Sequence, residues 1–185
     1  MFMKDIAKIS VVNNSCRDEI RYGIELFSWY LQKKWMINQE VARDLVKAEF
    51  HDSRSVLLKA ENFGKFIGVV CVAPLGVINF PNVNEKEKLL DFFEEKKINP
   101  CEVIHIGGLG LDHNNTMIDL IWWSRFLIFS ALKISSSEGW KYAIGQSKED
   151  DTMISKIARM FRFRKIPVKT FYEGVSENWF LKSLA

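Results

Sequence analysis

CEVIHIGGLGLDHNNTMIDLIWWSRFLIFSALKISSSEGWKYAIGQ, residues 101–146, reads as strand, tight loop, long apolar helix, turn and strand. A strand that runs through a polar loop into a buried helix leaves unpaired N–H groups at the helix start. Anionic ligands such as phosphates dock there. The stretch therefore suggests a cofactor-binding βαβ core, although its loop lacks the glycines usual at such a turn. Residues 117–134 approach the length of a membrane span, but Asp119, Arg125 and Lys133 are costly in lipid. They read as a buried helix of an α/β core.

Upstream, 4–12 is a first strand and 16–34 a helix capped by Ser15, with Ile20, Ile24, Phe27 and Leu31 on its apolar face. A second helix covers 38–50, with Val41, Leu45 and Val46 inward. Two strands, 55–60 and 65–73, flank a hairpin turn at Glu61-Asn62-Phe63-Gly64, since Asn and Gly tolerate positive φ. A short surface helix lies within the polar stretch 79–100 and uses Leu89, Leu90, Phe92 and Phe93. Downstream of 141–146, an amphipathic helix covers 152–162. Pro167 leads into a last strand, 168–172, and a tail containing Trp179 and Phe180. The order is β-α-α-β-β-(α)-β-α-β-α-β, and residues 1–185 read as one domain.

Composition narrows the function. The chain is 48% hydrophobic and 26% charged, an ordinary globular balance, and its fourteen Phe and six Trp supply a core of large side chains. A net charge of +3 is too small to imply nucleic acid. Cys16, Cys71 and Cys101 are scattered, with no Cys-x-x-Cys or Cys/His pattern. They fit a reducing cytoplasm and argue against a disulfide scaffold or a metal site. No signal peptide and no membrane span are expected.

The element order resembles the GNAT superfamily of N-acetyltransferases over nearly the whole chain. GKFIGVVCVA resembles that family's second hairpin strand. IHIGGLGLDHNN resembles its central strand entering the pyrophosphate loop, and ISKIARMFRFRK its late helix. The resemblance implies a mixed, mostly antiparallel sheet flanked by helices. It also implies acyl transfer from a thioester, acyl-CoA or acyl carrier protein, to a small-molecule or protein amine, without a metal. The family's loop normally reads Arg/Gln-x-x-Gly-x-Gly/Ala, whereas HNNTMI here has no glycine. Phe161 or Phe163 stands near the usual general-acid tyrosine. Glu102-Val103-Ile104-His105 resembles the Glu-x-x-Arg of the acyl-homoserine-lactone synthase and N-acyl amino acid synthase branch.

Amide formation from a thioester needs a deprotonated amine, a held carbonyl and a protonated leaving thiolate. Glu102 and His105 are the candidate bases. Their spacing places them on opposite strand faces unless Gly107, Gly108 and Gly110 introduce a bulge. Tyr142 is the candidate acid. The backbone of Leu111 and of Asn114, Asn115, Thr116 and Met117 is the candidate cofactor seat. Asp112 reads as a loop or cap residue. Lys156, Arg159, Arg162, Arg164 and Lys165 read as a solvated face or as contacts to a nucleotide phosphate. Cys101 lacks a base within reach. A second reading is a non-catalytic module of this fold. In it an aromatic surface including Trp35, Trp179 and Phe180 binds a protein partner or a second copy.

Overall fold

The computed structural model describes residues 7–12, 16–35, 38–78, 80, 83–112, 114, 116–172 and 175–184 (for 7, 34, 35, 48, 83, 117 and 172 the backbone alone). Seven strands, β1 (Ala7–Val11), β2 (Val56–Asn62), β3 (Lys65–Pro74), β4 (Val103–Leu111), β5 (Tyr142–Lys148), β6 (Arg164–Tyr172) and β7 (Val175–Ser183), form one sheet ordered β1-β2-β3-β4-β5-β7-β6. Every neighbouring pair is antiparallel except β4 and β5, which run parallel. Five helices complete the order: α1 (Arg17–Trp35), α2 (Gln39–His51), α3 (Val83–Glu95), α4 (Met117–Ser137) and α5 (Thr152–Met160). This is the mixed, mostly antiparallel α/β architecture that the family resemblance implies.

The helices sandwich the sheet. Ile20, Ile24 and Leu31 of α1 and Ala42, Val46 and Phe50 of α2 pack on Leu57, Val69 and Cys71. Leu89, Phe92 and Phe93 of α3 extend the same layer over Val103, Ile144 and Trp179. Trp123, Leu127 and Ala131 of α4 cover the opposite face at Leu58, Val70 and Ile104. With both faces covered, β3 is buried without interruption from Ile67 to Ala73, so its sequence reads as a continuous apolar run rather than an alternating one.

The structure revises several expectations. The segment read as a tail is β7, which inserts between β5 and β6. Trp179 and Phe180 on it are buried and offer no surface to a partner, while the Trp35 side chain lies outside the described residues. Positive φ in the first hairpin falls on Phe63 (50°) and Gly64 (74°), because Asn62 still pairs with Lys65 in the ladder. Val41 is exposed and Ala42 takes the inward position. Thr116 caps α4, accepting from the Asp119 amide at 3.2 Å. Ser15 lies outside the described residues.

The expected bulge in β4 is present. Val69 pairs with Gly110 and Cys71 with Gly107, so Val70 faces both Gly108 and Leu109. Gly108 has φ +57°, and a Cβ there would lie 2.7 Å from Phe50 Cε2 and 3.0 Å from Cys71 Cβ. Gly108→Ala should therefore lose about 2–4 kcal/mol from left-handed strain and overpacking. Chemical denaturation measures it directly, and an unchanged midpoint would refute the strain.

Candidate active site

β4 and β5 are joined through Val103–Tyr142, Ile104–Ala143 and His105–Ile144. Beyond His105 no further ladder pairs link them among the described residues, and the sheet opens into a notch. Gly107 shapes its apex: a Cβ there would fall 2.2–2.9 Å from three ring atoms of His105, so glycine is what leaves the imidazole its place.

Two cavities meet in the notch. One of about 100 Å³ lies at the apex, lined by His105, Gly107, Phe27, Leu31, Phe163 and Phe180 among others. The other, about 650 Å³, is a groove bordered by Leu109 and Leu111 of β4, Ile121 and Arg125 of α4, and Lys156 and Ile157 of α5. Both are lined by Tyr30, Leu109, Ile154 and Ile157, so they form one continuous space with mostly apolar walls. The Tyr30 hydroxyl donates to Asp151 Oδ2 at 3.1 Å, and Asp151 Oδ1 accepts from the Ile154 amide at 3.0 Å, capping α5. Tyr30 thus ties α1 to α5 across the opening.

His105 is buried, yet neither ring nitrogen has a hydrogen-bond partner among the described residues. Buried polar atoms in native proteins are nearly always paired, so two orphaned nitrogens beside a cavity suit a visiting group. The buried Glu49 of α2 approaches Nδ1 at 3.7 Å, within ion-pair range but too far for a hydrogen bond. Trp179 backs the ring on another side, its centroid 6.2 Å away. Cys71 is not an alternative nucleophile, because burial, reinforced by the Glu49 charge, pushes its thiol well above the usual range.

Of the three predicted catalytic side chains, His105 alone lines the notch. Glu102 precedes β4 in a 3₁₀ turn (Pro100–Glu102) and pairs with Lys141 Nζ at 2.6 Å, at the end of the parallel pair opposite to the opening. The bulge comes after His105, so it cannot swing Glu102 round to join it. Tyr142 packs in the apolar layer under α3, opposite Val103. Cys101 is exposed in the same 3₁₀ turn.

At the predicted cofactor seat, Leu111 borders the groove. The Asn114 amide donates to Asp112 Oδ1 at 3.0 Å, so Asp112 acts as the expected loop residue. Burial alone raises the Asp112 carboxyl, but the Asn114 donors and Lys65 outweigh it and hold it below its ordinary value. Thr116 exchanges hydrogen bonds with Asp119. Asn115 and the Met117 side chain lie outside the described residues. The Asp119 carboxylate therefore stands in the first turn of α4, in the electrostatic position an incoming phosphate would take. The five basic residues from Lys156 to Lys165 are exposed, and of these Lys156 borders the groove.

Sequence reasoning missed Glu49 and Tyr30. A readable signal existed for Glu49: it continues the inward series Ala42, Val46, Phe50 of α2, where an acid is out of place.

A second buried polar group lies in the same layer. The Thr170 hydroxyl donates to Glu177, and Trp179 Nε1 donates to Thr170 Oγ1 at 2.9 Å. Burial pushes the Glu177 carboxyl up to about 7; the Thr170 bond opposes this and the nearby Glu85 charge adds to it. Glu85, which accepts from the Phe171 amide at 3.0 Å, is itself raised by burial.

No protein-family model matches the sequence, and no curated protein matches it significantly. Solved structures match its shape. FeeM, an N-acyl amino acid synthase from uncultured soil microbes, aligns with TM-score 0.70 at 13% identity over 100% of this chain and 93% of its own. An N-acetyltransferase from Staphylococcus aureus Mu50 aligns with TM-score 0.64 at 8% identity, over 97% and 99%. yncA from Salmonella typhimurium, solved with its cofactor acetyl-CoA, aligns with TM-score 0.62 at 10% identity, over 97% and 95%. The chain has a divergent GNAT fold.

Proposed function

We propose that this protein is an N-acyltransferase that moves an acyl group from a thioester to an amine by direct attack. The observation that carries the reading is the open notch with the unpaired His105 at its apex. His105 accepts the proton of the attacking amine, and Glu49 steadies the imidazolium so formed. As the new C–N bond forms and the C–S bond breaks, Tyr30, which lines both cavities, turns its O–H from Asp151 Oδ2 to the leaving thiolate and protonates it. It takes the place the sequence assigned to Tyr142. Leu109, Leu111 and Ile121 border the pantetheine arm, and the apolar apex takes an acyl chain longer than acetyl.

The donor is an acyl-CoA or an acyl carrier protein. Asp119 at the start of α4 favours the carrier, because a carboxylate there repels the diphosphate of CoA. The acceptor is a small-molecule or protein amine, and the three free cysteines suit a reducing cytoplasm. The open notch favours this reading over a non-catalytic module, in which side chains are expected to fill it.

A thermal-shift panel of acetyl-CoA, longer acyl-CoAs and acyl carrier proteins, followed by mass-spectrometric detection of amide with the donors that bind, tests the proposal. Stabilisation by longer acyl donors and amide formation are expected. Failure of every donor to bind would reject it.

A further inference from the structure

α4 is apolar on both sides. Its inner face, Trp123, Leu127 and Ala131, is buried in the core. Its outer face carries Ile118, Trp122, Phe126 and Phe129 at helical spacing, and these are 42–79% exposed. Trp122 stacks on Phe126 with centroids 4.2 Å apart, and Met160 of α5 adds a further exposed apolar side chain. A helix apolar all round is normally covered on all sides, so the sequence reading of 117–134 as simply buried is half right.

The charges beside this stripe are mostly cationic. Arg125 and Lys133 flank it on α4; Lys156, Arg159 and Arg162 stand on or beside α5, all exposed. Within Met117–Ser137 and Thr152–Met160 the one carboxylate is Asp119, held by Thr116. A shallow groove of about 750 Å³ between the C-terminal ends of α4, α5 and β7 repeats the chemistry: Phe129, Met160 and Phe161 beside Lys133, Arg162 and Lys182.

We propose that the α4–α5 face rests on an anionic lipid surface, its aromatic stripe entering the headgroup region while the flanking cations meet lipid phosphates. A second copy of the chain fits poorly, since a two-fold contact through this face sets cations against cations. Among the described residues no helix is long and apolar enough to cross a membrane. A row of large side chains from Ile118 to Phe129, about 17 Å long at 1.5 Å per residue, matches a flat surface better than a protein pocket. The inference does not depend on acyl transfer, because its test reads binding alone.

The test is co-sedimentation of the full chain with vesicles of phosphatidylcholine alone and of phosphatidylcholine mixed with phosphatidylglycerol. Binding to the anionic vesicles and its loss in high salt are expected. The triple variants W122S/F126S/F129S and R125E/K133E/R159E should each weaken binding roughly tenfold or more. All six positions are exposed, so an unchanged melting temperature confirms that the variants fold. Equal binding to neutral vesicles, or none to either, overturns the proposal. So does a concentration-dependent dimer that W122S/F126S/F129S dissolves, which assigns the stripe to a second copy. Capture of a soluble acyl carrier protein by this face without vesicle binding also overturns it and assigns the stripe to an acidic protein.

Discussion

His105→Gln should lower kcat for amide formation by about 10²–10⁴-fold while leaving KM for the acyl donor nearly unchanged. The split follows from geometry. On the proposed reading the donor would contact the apolar walls of the groove, whereas His105 presents at the apex nitrogens without hydrogen bonds among the described residues. Because the ring is buried against Trp179 and over Gly107, the variant needs a folding check by circular dichroism, with His105→Asn as a second probe of the site. Glu49→Gln should lower kcat by a smaller factor, since Glu49 acts through the ring. A folded His105→Gln protein with wild-type kcat would remove His105 from the chemistry.

Glu177→Gln should reverse its effect on stability with pH. The folded-state carboxyl, pushed up to about 7 from an ordinary 4.5, binds a proton more tightly than in the unfolded chain. Its contribution is therefore fully present below about pH 4.5 and is lost as pH rises through 7. The span corresponds to about 3 kcal/mol at 1.36 kcal/mol per unit. Glutamine keeps an acceptor for Thr170 without a titrating group. The variant should then be more stable than the parent at pH 8 and no more stable at pH 5, with Glu85 leaving a weaker residual slope. Urea denaturation at both pH values decides it; identical pH slopes in the two proteins would count against the raised carboxyl.

Local physics made much of the fold legible. The strand Val103–Leu111 and the start of α4 at Met117 follow from an apolar run, a polar loop and a capping threonine. β7 escaped notice because Glu177 and Asn178 occupy buried positions in VSENWFLKS, which breaks the apolar alternation that identifies a strand. Their partners, Thr170 and the β5 edge, are brought alongside only by the fold. The notch was legible where one strand supplies it, as with the place of His105 and the glycine bulge after it. It was not legible where separate elements converge: Glu49 and Tyr30 arrive on two helices from earlier in the chain. Glu102 misled because the Asn99 cap and Pro100 bend it into a turn before the strand begins.

The three-pair seam between β4 and β5 also bears on how the molecule assembles. On one side, β2 and β3 form a tight hairpin that carries β1 and β4. On the other, β6 and β7 form a second hairpin that carries β5. Each half is built round a short hairpin, and the seam joins the two halves through the connection that contains α4. Two ribbons thus meet along a short seam, and the notch is lined by both. If the notch takes the proposed thioester, the ligand would brace the molecule where three ladder pairs join its halves.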